Sequence, residues 1–140
     1  MSRPIVLAFL AALALSFSLR AQAPAASALQ GRWVVAAAEH QGKPFDVIKG
    51  GVMTITGNEF EVRTASGNML KGRLALDPKQ PSHLDMLHAD GARWEAIFAV
   101  DGDTLRLNYV EAGGKEPRPT AFATTPDSEA TSITLLRENR

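Results

Sequence analysis

The sequence predicts an all-β chain: an antiparallel β-barrel of about eight to nine short strands, folded as one domain behind an N-terminal leader. Three observations carry this. Residues suited to tight turns recur at short, fairly even intervals; the segments between them alternate apolar and polar side chains with period two; and those segments are too short for typical helices.

The leader comes first. Arg3 supplies a positive start, Ile5 to Leu19 form an apolar stretch, and small residues follow at Ala21-Gln22-Ala23 and Ala23-Pro24-Ala25. That is the anatomy of a secretory signal peptide, over residues 1–25, and the apolar stretch is too short to span a bilayer comfortably. Cleavage is expected after Ala25, because a cut after Ala23 would leave Pro24, which has no backbone N–H, beyond the scissile bond. The expected product, residues 26–140, is exported to the periplasm or the cell exterior. With no cysteine, it carries neither a disulfide framework nor a lipid-modified N-terminus, so its core must hold without covalent staples.

Turn signals divide that domain: Gly57-Asn58, Ser66-Gly67-Asn68, Asp77-Pro78 through Pro81, Asp90-Gly91, Asp101-Gly102, Gly113-Gly114 and Pro126-Asp127-Ser128. The first strand is expected over residues 31–39, where Gly31, Val34 and Val35 lean toward strand although three successive alanines favour helix. Residues 43–50, KPFDVIKG, do not alternate and read as a short helical turn or a lid-like loop. Strands then follow over 51–56, 59–64, 69–76, 83–88, 93–100, 104–110, 120–124 and 131–137. The pattern is plain in Phe60 and Val62 against Glu59, Glu61 and Arg63, and in Leu105, Leu107 and Tyr109 against Arg106 and Asn108. So many short antiparallel strands must close into a barrel or pack as two sheets, since an open sheet would leave reactive edges.

Charge excludes two partner classes. Arg3 and Arg20 lie in the leader, leaving 13 basic residues against 15 acidic ones and a net charge near −2. No basic cluster is present to track a nucleic-acid backbone, and no Lys/Arg-rich amphipathic stretch to lie on an anionic membrane.

Read together and in order, LQGRW at 29–33, GKP at 42–44, MTITGNEFEV at 53–62, LALDPKQPSHLD at 74–85, VDGDTLRL at 100–107 and RPTAF at 118–122 resemble the planctomycete-type lipocalin-like secreted domain of unknown function. The resemblance covers nearly all of the expected domain. It implies a lipocalin-like antiparallel barrel and brings no activity or cofactor with it. In lipocalins the Gly-x-Trp motif lies on the first strand, and an arginine of the last strand packs on the tryptophan at the closed end. Gly31 and Trp33 match the first part, and Arg137 is the candidate for the second. A guanidinium over an indole face, with its stem covering apolar surface, makes a plug worth on the order of 1 kcal/mol. The lipocalins' second signature, a Thr-Asp-Tyr-like segment, is absent unless Asp103-Thr104 is its remnant.

Catalysis and metal chemistry find little support. In SHLDMLH, period two puts His83 and Asp85 on one face and His88 on the other, so a zinc or copper site would need a further ligand such as His40. No G-x-S-x-G elbow and no cysteine nucleophile is present, and Asp101-Gly102-Asp103 reads as a hairpin turn because Leu105 stands where a calcium loop needs oxygen. No catalytic residue, metal or cofactor is therefore assigned. Two function classes remain. One is a binder of a small hydrophobic molecule, with Trp94, Phe98, Leu105, Leu107, Tyr109 and Phe122 lining the lumen. The other is an envelope interaction or inhibitor module with a filled barrel, using the loops at 43–51 and 112–119.

Overall fold

The computed structural model describes residues 26–138; the expected leader lies outside the described residues. Nine strands form one antiparallel sheet: β1 (Gly31–His40), β2 (Lys43–Pro44), β3 (Val52–Thr56), β4 (Glu59–Arg63), β5 (Met69–Asp77), β6 (Gln80–His88), β7 (Arg93–Asp101), β8 (Thr104–Glu111) and β9 (Thr131–Arg137). Neighbours in sequence are neighbours in the sheet from β3 to β9, and β9 returns to pair with β1, from Trp33↔Arg137 to His40↔Thr131. Eight strands thus close a barrel, and the short β2 is an extra strand beside the end of β1.

The apolar half of each alternation faces inward. Trp33 and Val35 of β1, Met53 and Ile55 of β3, Leu84 and Met86 of β6, and Leu105 and Leu107 of β8 are all buried in one core. Burial of this kind contributes roughly 1.5–3 kcal/mol per large side chain and is what closes the sheet on itself. A register shift between Val35 and Ala37 bends β1 as it passes from β3 toward β2.

Gly72 provides a second bend. Its cross-strand neighbours are Phe60 and His88, and a Cβ here would lie 2.1 Å from the Leu87 carbonyl oxygen and 2.8 Å from the Phe60 ring. The missing side chain lets the Phe60 ring fold over the backbone, a cross-strand substitution that lets a barrel turn its corner.

Two expectations are corrected. Residues 120–124 are not a strand. They belong to a long connection between β8 and β9, residues 112–130, that lies as a strap over the outside of β6–β9. The β8–β9 and β9–β1 pairings already occupy both sides of β9 and close the barrel, so neither β8 nor β9 has an edge left for the alternating segment PTAFATT between them. The ninth strand is instead Lys43–Pro44, and the lid-like segment after it folds as a 3-10 turn, Asp46–Ile48.

The strap is held by polar contacts. Arg118 donates to the Leu84 and Ala96 carbonyls at 3.2 and 2.7 Å, bonds Asp85, and lies 3.6 Å from Glu95. Asn108 donates to the Ala121 carbonyl at 2.6 Å, and Thr124 donates through its N–H and hydroxyl to Glu39, whose carboxyl is held below its ordinary range by those two bonds. Beneath the strap, the outward-facing Ile97, Asn108 and Val110 become buried.

Candidate functional site

The two ends of the barrel differ. At one end the chain enters through a helical turn at residues 26–29, and Leu29 is buried against the core. The Trp33 indole, fully buried, donates to the Leu29 carbonyl at 2.9 Å. The Arg137 guanidinium lies 4.1 Å from the centre of the Trp33 ring, donates to the Ala28 and Gln30 carbonyls, and approaches Asp103 at 3.3 Å. Gly31 sits beside it with φ +119°, and a Cβ there would touch the Arg137 guanidinium at 3.0 Å. The three residues assigned to closure thus meet in one place, and this end is sealed. Above the plug, Phe98 and Leu105 are buried in the same cluster and occupy the lumen themselves.

Toward the other end the lumen is not filled. An apolar cavity of about 120 Å³ is bounded by Val35, Met53, Val62, Leu70, Met86, Ile133 and Leu135, with Trp94, Leu107 and Tyr109 on the β7–β8 side. Ile48 of the 3-10 turn and Gly51 also border it, so the segment expected to be lid-like lies at the mouth. No charged side chain lines this cavity. Its one hydroxyl from a turn, Thr64, is already engaged, accepting from the Asn68 N–H at 2.9 Å.

Trp94 and Tyr109, which border the cavity, belong to a row of four rings. Tyr109 stacks on Trp94 with centroids 4.2 Å apart and planes within 8°, while His88 packs against Trp94 at 4.1 Å and Phe60 meets His88 edge-on at 5.2 Å. Burial raises the Tyr109 hydroxyl above its usual range, partly countered by its bond to Thr131. Burial lowers the His88 imidazole, against the opposing pull of Asp90 and Glu111, and its Nε2 has no hydrogen-bond partner.

Of the six residues expected to line the lumen, Trp94, Leu107 and Tyr109 border the cavity. Phe98 and Leu105 face inward but lie in the filled part. Phe122 is not in the lumen: it sits on the strap outside the barrel, under the Arg106 guanidinium at 4.6 Å. The lining residues from β3 to β6, Met53, Val62, Leu70 and Met86, were not singled out from the sequence, although each has the inward parity of its strand.

The histidines do not converge. Asp85 faces outward to Arg118, His88 lies in the core, and His40 Nδ1 bonds the Ala130 carbonyl at 3.1 Å. Among the described residues no group of three or more His, Cys, Asp or Glu is placed to hold a metal ion, and no helix is long and apolar enough to cross a membrane.

No family model and no curated protein matches the chain. Among solved structures it resembles a de novo designed fluorescence-activating β-barrel, with 20% sequence identity over 81% of this chain and 97% of that one, at a TM-score of 0.47.

Proposed function

We propose that this protein is an exported carrier or scavenger that binds one small, uncharged apolar molecule in the upper lumen of its barrel. The observation that carries the reading is the apolar cavity of about 120 Å³ under Ile48, at the end opposite the Arg137–Trp33 plug. A core as well packed as the lower lumen leaves few voids larger than a water molecule. An unfilled space of this size with no charged or free polar group on its wall is too dry to be stabilised by water. The leader-like N-terminus and the lack of cysteine support export, and the resemblance to the lipocalin-like secreted domain accords with a barrel open at one end.

The lid is built to yield. The turn Asp46–Ile48 buries none of its residues fully, and Val47 is 73% exposed. It is tied to β1 by the Gly50 N–H on the Val35 carbonyl at 2.9 Å and the Val35 N–H on the Gly51 carbonyl at 2.8 Å. Few apolar contacts and a short hydrogen-bonded hinge are the features of a segment that opens at low free-energy cost.

The test is extraction of the freshly purified protein with organic solvent, together with thermal unfolding of the stripped protein against small neutral apolar compounds. A bound compound at about a hundred times its dissociation constant stabilises by about 2.7 kcal/mol, an upshift of roughly 10 °C for a domain of this size. A stripped barrel that no such compound stabilises refutes the reading.

A further inference from the structure

The wall of the cavity constrains what fits inside it. Resting on the small-molecule reading above, we infer that the ligand is an uncharged single-ring aromatic compound, seated with its face against the edge of the Trp94 indole.

Size comes first. An apolar cavity of roughly 150 Å³ accommodates benzene, whereas sites for drug-sized ligands run to roughly 300–1,000 Å³. At about 120 Å³, the space under the lid matches a single ring and is too small for an extended acyl chain. Charge comes next. A carboxylate or ammonium placed here would meet no counter-charge among the lining residues, and an isolated buried ion is strongly disfavoured.

Shape of the electrostatic surface selects the aromatic. Trp94 has Tyr109 stacked on one side at 4.2 Å and His88 against it at 4.1 Å, tilted by 59°. His88 comes from β6 and Tyr109 from β8, the strands on either side of β7, so the row flanks the indole and leaves its edge to offer to a third body. Ring edges carry partial positive charge and ring faces partial negative charge, so an edge attracts the face of a second ring. Met53 and Met86, on β3 and β6, add polarisable thioethers that favour aromatic neighbours and adapt to a flat body. A saturated ring of the same size would fill the space but gain nothing from the indole edge.

The experiment compares toluene with methylcyclohexane and sodium decanoate on the full chain. Each affinity is referred to that compound's own water-to-hydrocarbon transfer, so that general hydrophobicity cancels. Toluene is expected to exceed methylcyclohexane by about fivefold on that scale, and decanoate to be excluded. In proton NMR, the edge protons of Trp94 are expected to move upfield with toluene, because they then lie over a ring face, and to stay in place with methylcyclohexane. Trp94→Leu is expected to abolish the preference; if that variant does not fold, the wild-type shifts alone decide. Equal binding of toluene and methylcyclohexane, or stronger binding of decanoate, overturns the aromatic assignment and leaves the lumen-binding reading standing. Failure of all three compounds to bind overturns both.

Discussion

Replacing Arg137 with alanine tests whether the sealed end holds the barrel shut. Three contributions are lost. The guanidinium over the fully buried Trp33 ring, at 4.1 Å, is worth about 1–2 kcal/mol in a partly desolvated site. The bonds to the Ala28 and Gln30 carbonyls contribute about 1 kcal/mol each, because water can reach those carbonyls once the side chain is gone. The pair with Asp103 adds less than about 0.5 kcal/mol, since that carboxylate is 63% exposed. The expected loss is about 3–4 kcal/mol, or a fall in Tm of roughly 12–16 °C. Arg32→Ala is the control: its partner is Glu138, the two side chains are 50% and 32% exposed, and its loss should stay below about 1 kcal/mol. Arg137→Lys keeps the charge but not the planar fork, and should fall between the two. Urea unfolding followed by circular dichroism measures all three. If Arg137→Ala and Arg32→Ala unfold within about 1 kcal/mol of each other, the plug does not stabilise the closed end and the reasoning fails.

Three further outcomes are expected. Gly72→Ala forces a Cβ to within 2.1 Å of the Leu87 carbonyl oxygen, a backbone atom that cannot step aside; it should cost about 3 kcal/mol, read as lower soluble yield and urea midpoint. His88 titrates below its ordinary 6.5 because it is buried, so on acidification through that value the unfolded chain takes up a proton that the folded chain does not, and stability falls. His88→Phe should remove that component, giving a shallower decline in stability from neutral pH down to about pH 5 in urea titrations. At neutral pH the same variant should be no less stable than wild type, since it also deletes the unpartnered Nε2; a decline as steep as wild type would contradict the assignment. Arg118→Met leaves Asp85 and Glu95 facing each other without their cation and should destabilise by about 2 kcal/mol. Hydrogen exchange should then speed up at the Thr124 N–H of the strap while the β3–β4 amides keep their protection.

Much of the fold was legible because it follows from short-range chemistry. Gly57-Asn58 and Asp101-Gly102 mark their hairpins, and the period-two pattern of β8 places Leu105 and Leu107 inside and Arg106 outside. The segment at 120–124 misled for a physical reason. Alternation reports that one face of a segment is covered, and the strap is covered too, with Phe122 under Arg106 and its carbonyl accepting from Ser132 at 2.5 Å. Strand pairing needs a free edge as well as a pattern, and closure had used the edges of β8 and β9 that flank this segment. Nor does the sequence show that Arg118 would pin the strap, because its partners Asp85 and Glu95 lie on two other strands and meet only through the register of β6 and β7.

The candidate site was half legible for a related reason. Parity tells inside from outside, but it carries no information about height along the barrel. Leu105 and Tyr109 share one face of β8, yet one sits in the filled half and the other borders the cavity. Height is set by how far each strand is staggered against the next. Gly72 pairs with Phe60 near the start of β4 and with His88 at the end of β6, and that stagger lifts Met86, Trp94 and Tyr109 to the level of Val62 and Leu70. The same stagger brings Phe60, His88, Trp94 and Tyr109, which lie on three different strands of hairpin-linked neighbours and one more beyond Gly72, into a single aromatic row. One glycine without a side chain therefore does two things at once: it turns the barrel's corner, and it lets Phe60 reach the histidine that buttresses the Trp94 wall of the cavity.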